Sequence, residues 1–127
     1  MRGFMKARSL TSASIPELLD SYRRAAKIHA SCTLSGDNET GNPQADTIAS
    51  IYRELRVRGD DARRALLDLL EDEEIGVRFW AAAHALEIAP AKGVSVLEAL
   101  ALSEPWQVAT SAETTLKVWK KGELRFP

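Results

Sequence analysis

Few side chains in this sequence can trade a proton near neutral pH. His29 and Cys32 stand three positions apart, so one helical turn puts them on the same face. That spacing suits a pair of metal ligands, or a thiol beside its base. A closed structural zinc site takes four nitrogen or sulfur ligands, and His84 is the only further histidine or cysteine in the chain. Glu17 or Asp20 would have to complete the set, so no metal and no cofactor is expected. His84 itself lies between Trp80 and Ile88 at a spacing of four, on an apolar face. It reads as a core or groove histidine with one hydrogen-bonding partner. Nothing in the spacing brings it to Cys32 as a nucleophile's base, and no catalytic residue is assigned.

The remaining motifs fail on their spacing. Asp37, Glu39 and Gly41 look like the start of a calcium loop, yet Ile48 stands at the twelfth position, where a bidentate glutamate is required. Glycines at 36, 41, 59, 76, 93 and 122 are scattered punctuation and form no phosphate-cradling loop. The acidic run Glu71–Glu74 precedes a helix, whose positive N-terminal end accounts for it.

Basic residues gather in two places. Arg53, Arg56 and Arg58 close one helical stretch, with Arg63 and Arg64 after them, and Lys117, Lys120, Lys121 and Arg125 cluster late in the chain. With 17 Lys+Arg against 18 Asp+Glu, the net charge of −1 provides no field for nucleic acid or an anionic membrane. No apolar run approaches the roughly 20 residues a membrane helix needs. A single cysteine rules out an internal disulfide and fits a reducing compartment, so a cytoplasmic location is expected.

The elements that must position these residues are helical. The stretch from Leu66 to Pro90, LLDLLEDEEIGVRFWAAAHALEIAP, decides the architecture, and its second half reads as a helix. At about 100° per residue, Val77, Trp80, Ala81, His84, Ala85 and Ile88 fall in one arc, with Ile75, Phe79, Ala82 and Leu86 on the other side. A helix apolar on two sides is buried between neighbours, and its alanines admit close approach. Five more helices are expected around it. The first covers about 15–33, with Ser14 as cap and Pro16 near its first position. A loop is expected over Leu34–Pro43, then a helix capped by Asn42 and stopped at Gly59. A third follows, capped by Asp60 or Asp61, with Ala62, Ala65, Leu66, Leu69 and Leu70 inward. The fifth is marked by Val94, Leu97, Leu100 and Ala101, its start blunted by Gly93 and the β-branched Val94 and Val96. The sixth runs from Glu104-Pro105 to Lys121-Gly122, with Val108, Ala109, Ala112, Leu116 and Trp119 inward. No segment alternates with period two for long enough to be a strand.

From Leu69 to Leu86, LLEDEEIGVRFWAAAHAL resembles the second half of a HEAT repeat. It departs where a leucine commonly follows the valine by eight positions, because Ala85 stands there. From about residue 14 to 127 the chain is similar to a small bacterial family of HEAT-like helical proteins catalogued as a domain of unknown function, number two thousand and nineteen in that series. The residues that carry the likeness are Asn42, the run IYRELRVRG from Ile51 to Gly59, VRFWAAAHAL from Val77 to Leu86, Pro90, and LKVWKKGEL from Leu116 to Leu124. The resemblance implies an armadillo/HEAT-like superhelix, with no established activity and no catalytic residues to transfer.

The expected fold is therefore all-α, an α-α superhelix of about three antiparallel helix pairs. Residues 14–127 form one helical-repeat domain, and residues 1–13 a disordered or loosely attached leader. The expected function is a non-enzymatic interaction module whose partner is another protein, possible roles being toxin neutralisation or regulation. Its groove would gather Arg53, Arg56, Arg78, Trp80, His84, Trp106 and Lys117. The alternative is a small-molecule binder or enzyme with a pocket around Trp80, His84 and Trp106. A nucleic-acid partner is not expected, and the oligomeric state is open.

Overall fold

The computed structural model describes residues 7–127, and among these every regular element is a helix. In chain order they are α1 (Ala7–Ser12), α2 (Ile15–Ser35), α3 (Asn38–Arg58), α4 (Asp60–Arg64), a 3₁₀ segment (Ala65–Glu71), α5 (Ile75–Ile88), α6 (Pro90–Ala101) and α7 (Trp106–Lys120). The fold is all-α, as the periodicity predicts.

Local chemistry sets the boundaries. Ser14 and Glu17 form a reciprocal capping box: the Ser14 hydroxyl accepts from the Glu17 amide at 3.2 Å, and Glu17 Oε1 accepts from the Ser14 amide at 2.8 Å. Gly36 ends α2 in the left-handed conformation, with φ of 78°. The loop expected over Leu34–Pro43 is far shorter than that. Asp37, and not Asn42, caps α3, its carboxylate accepting from the Thr40 amide at 3.1 Å. Gly41 then lets α3 close on α2, since a Cβ there would lie 3.1 Å from Cys32 Cβ. Pro43 sits inside the helix.

The expected third helix is split: α4 passes directly into the 3₁₀ segment, which keeps Leu66, Leu69 and Leu70 buried. No side-chain cap starts α4, whose preceding residue is Gly59. The fifth expected helix begins earlier than its weak start suggests. Pro90 ends α5 and also opens α6, where its missing N–H costs nothing. Gly93 does not blunt α6; it is the point of contact, since a Cβ there would meet the Ala82 carbonyl oxygen at 2.8 Å and the Leu86 amide nitrogen at 2.9 Å.

These contacts wrap α5. Gly76 brings its first turn against α2, where a Cβ would lie 2.5 Å from Ala30 Cβ and 3.0 Å from the Ala26 carbonyl oxygen. On the other side α6 rides on Ala82 and Leu86. Ala81, Ala82 and Ala85 are each at most 1% exposed. The hairpin of α2 and α3 contributes Leu18, Tyr22, Ile48, Ile51, Tyr52 and Leu55 to the same core.

The expectation of a loose leader over residues 1–13 is corrected for its second half. Residues 7–12 are helical, and Leu10 and Ala13 join the core. Arg58 pins the segment by donating from Nη2 to the carbonyl oxygens of Leu10, at 2.8 Å, and Thr11, at 3.3 Å. The apolar Leu10 explains the attachment: it gains by leaving water, and Arg58 satisfies the helix end that follows. Residues 1–6 of that segment lie outside the described residues.

Candidate functional site

Of the groups the sequence singles out for chemistry, His84 lies in the interior, among tyrosine rings the sequence does not single out. Tyr22 from α2, Tyr52 from α3 and His84 from α5 meet at the centre, each 3% exposed or less. The Tyr22 hydroxyl and His84 Nδ1 share a hydrogen bond of 2.6 Å. The Tyr52 ring stacks on the imidazole at 4.2 Å with an interplanar angle of 12°. Trp80 stands 6.0 Å from the same ring.

Burial, with a smaller effect from the Arg56 charge, lowers the pKa of His84 to about 3. The ring is neutral at physiological pH, so in the Nε2–H tautomer the Tyr22 hydroxyl donates to the Nδ1 lone pair. Burial also pushes the Tyr22 hydroxyl well above its ordinary range, with Tyr52 adding to the effect. Two rings that hold their protons and one that refuses a second make a rigid polar joint rather than a proton relay.

The network reaches the surface through Tyr52. Its hydroxyl donates to Glu87 Oε1, and burial and that carboxylate raise its pKa. The same oxygen lies 3.6 Å from Arg56 Nη2 and 3.6 Å from Arg63 Nη1. Arg56 also stands over the Tyr52 ring, 5.2 Å from its centroid. At the other end of α5, Arg23 Nε pairs with Asp72 at 2.6 Å. Arg78 donates to the carbonyl oxygens of Asp72, at 2.7 Å, and Glu73, at 3.2 Å. Those contacts fix the acidic loop that precedes α5.

Of the residues expected to share one groove, Trp80 and His84 are brought together, and Arg53, Arg56 and Arg78 are held by separate partners. Arg78 turns back onto the loop at the start of α5, while Arg56 meets Glu87 near its end, nine residues on or roughly 13 Å along the axis. Arg53 is exposed on α3 with only Ser50 as a bonded side chain, at 3.3 Å. Trp80 is half-buried, with His29 edge-on to it at 5.2 Å. The crevice beside those two rings, closed by Gly76, Val108 and Ser111, has about 30 Å³, room for little more than one water. Trp106 stands apart on α7 with 70% of its surface exposed, and Lys117 follows it on the same side. A wider, open groove of about 390 Å³ separates the 3₁₀ segment from α6. Three residues per turn put Leu67 and Leu70 on one line along its wall, opposite Lys92 and Val96.

The sequence reads His84 as a core or groove histidine and gives no sign of Tyr22, Tyr52, Glu87 and Arg63 as its network. Both tyrosines lie on the apolar stripes of their helices, a position that signals burial only. Cys32 is buried and free, and among the described residues no group of three His, Cys, Asp or Glu is placed to hold a metal ion.

Among the described residues every regular element is a helix packed around a buried polar joint, which places the chain in the all-α class. The family described as a domain of unknown function (DUF2019) matches residues 32–119, and the chain belongs to that family. It is also similar to a solved structure, the protein RPA1889 from the bacterium Rhodopseudomonas palustris CGA009, at 27% identity and a TM-score of 0.85. That likeness spans 93% of this chain and 98% of the other. No curated protein matches the chain.

Proposed function

We propose that this chain is a non-enzymatic binding module of the bacterial cytoplasm, a short HEAT-type α-α superhelix that docks on another protein. Three successive helical hairpins support the superhelical reading: α2 with α3, the 3₁₀ segment with α5, and α6 with α7. One observation carries the functional reading. Trp106 is 70% exposed and Leu102, just before it in the α6–α7 turn, is 91% exposed. Two large apolar side chains exposed within one turn offer a contact surface, and tryptophan is enriched where binding energy concentrates. Thr110, Glu113 and Lys117 continue the line from Trp106 along the exposed face of α7.

The small-molecule or enzymatic alternative has less support. Its pocket needs Trp80, His84 and Trp106 around one cavity, whereas His84 is 3% exposed and Trp106 points outward.

The test uses the intact chain and its Leu102→Ser/Trp106→Ala variant. A protein recovered stoichiometrically with the wild type is purified and titrated against both. The variant should melt with the wild type and bind at least about 30-fold more weakly, the scale of a lost hot spot. Equal affinity for the two would overturn the assignment.

A further inference from the structure

The groove of about 390 Å³ between the 3₁₀ segment and α6 is open to solvent. One wall carries Leu67, Leu70 and Glu71, the other Ala91, Lys92, Ser95 and Val96. Both walls are helical, so their backbone donors and acceptors are used within the turns. An extended segment would find no edge to pair with. A helix satisfies its own backbone and needs only side-chain contact.

The α6 wall suits a helix in length and in bulk. Ala91, Ser95 and Ala99 recur every four residues on its exposed face, and small side chains let a second helix lie close. Leu102 follows three positions on and is 91% exposed, so the same stripe runs into the α6–α7 turn. From Ala91 to Leu102 it covers roughly 16 Å, about three helical turns. Leu67 and Leu70 on the facing wall give an occupant's apolar side chains a surface to pack on.

The two walls differ in the sign of their charge. Glu71 and Lys92 are both exposed, and among the described residues neither has an ion-pair partner. An occupant of uniform charge would be repelled by one wall. An occupant with one basic and one acidic flank is attracted by both.

We propose that this groove receives an amphipathic helix of a partner protein. That helix has an apolar stripe about three turns long, a basic residue flanking it toward Glu71 and an acidic residue flanking it toward Lys92. The proposal rests on reading the α6–α7 turn as a contact surface and supplies the chemistry of what docks beside it.

The test titrates the full chain with three hydrocarbon-stapled helical peptides that share one leucine stripe. The first has lysine on one flank and glutamate on the other, the second lysine on both, the third glutamate on both. The first should bind at least about tenfold more tightly than either of the others. Glu71→Lys should turn the preference to the glutamate peptide, and Lys92→Glu to the lysine peptide. Ser95→Trp, which fills the groove from an exposed position, should abolish binding of all three. Ser95→Arg takes its place if that variant does not melt cooperatively. Failure of every peptide to bind the intact chain overturns the proposal. So does binding undiminished by the Ser95 variants, or a preference unmoved by the charge reversals. Self-association of the intact chain, lost in Ser95→Trp, would also overturn it by assigning the groove to a second copy. Partner binding lost in Leu102→Ser/Trp106→Ala but kept in Ser95→Trp removes this inference alone, whereas the reverse pattern removes only the assignment of the α6–α7 turn.

Discussion

α5 and α7 are nearly equal in length, at 14 and 15 residues, and differ in almost everything else. Eight residues of α5 are buried: Gly76, Val77, Ala81, Ala82, His84, Ala85, Leu86 and Ile88. In α7 only Val108, Ala112 and Leu116 are, four apart on a single line. One helix is wrapped by α2, α6 and α7, and holds the buried polar joint. The other lays one stripe on the body and leaves Trp106, Thr110, Glu113 and Lys117 in water. The difference teaches where to look for function in such a chain. The helix richest in unusual residues is used up by architecture, and the plainer one has a free face to offer.

The strongest attempt to break this contrast is to crowd α5. Gly93→Leu should cost about 3 kcal/mol or more, because its Cβ would already press on backbone atoms of Ala82 and Leu86 that cannot turn aside. Urea denaturation measures it, and a loss under about 1 kcal/mol would mean that α6 does not ride on α5 as described.

Acid should act on the same region. His84 has its folded pKa lowered to about 3, below the unfolded value near 6.5, so the unfolded chain binds more protons between those limits. Stability from the neutral ring is complete above about pH 6.5 and is lost as the pH falls toward 3. One proton gives a slope of up to about 1.4 kcal/mol per pH unit, or about 2 kcal/mol between pH 6 and 4.5. His29, also lowered by burial, adds in the same direction. His84→Phe should flatten most of the slope in melts taken across that range, and an unchanged slope would locate its origin elsewhere.

Tyr22→Phe sharpens the picture with a single oxygen. It leaves His84 Nδ1 buried without its partner and should cost about 1–3 kcal/mol in a thermal or urea melt. On α7 the matching experiment is Thr110→Leu, which adds bulk to an exposed position and should stay within about 0.5 kcal/mol of wild type. A large loss there would show that the outer face of α7 is packed.

Much of this was legible in the sequence, for reasons that mark where legibility stops. The two-sided apolar pattern of Val77–Ile88 and the small residues Ala81 and Ala82 signalled a wrapped helix, because spacing within one helix is a local property. Ser14, Gly36 and Gly59 punctuate the chain by equally local chemistry. The start of α3 was misread because DNETGN has loop composition, although Asp37 caps a helix and Gly41 serves a close approach to Cys32. The 3₁₀ geometry of Ala65–Glu71 left no trace in a leucine pattern that fits an α-helix equally well. The Tyr22–His84 bond joins residues 62 positions apart, and the Tyr52–Glu87 bond residues 35 apart. Pairings of that range follow from how helices stack, which no single stripe records.

The claim beneath the account is that the one histidine placed to do chemistry is sealed into the structure. Titrating the His84 imidazole by NMR tests it directly. The ring should stay neutral through pH 5, with its midpoint near 3 or preceded by unfolding. A reversible midpoint at pH 6 or above in the folded protein would contradict the account, and would return His84 to the list of groups able to act on a ligand.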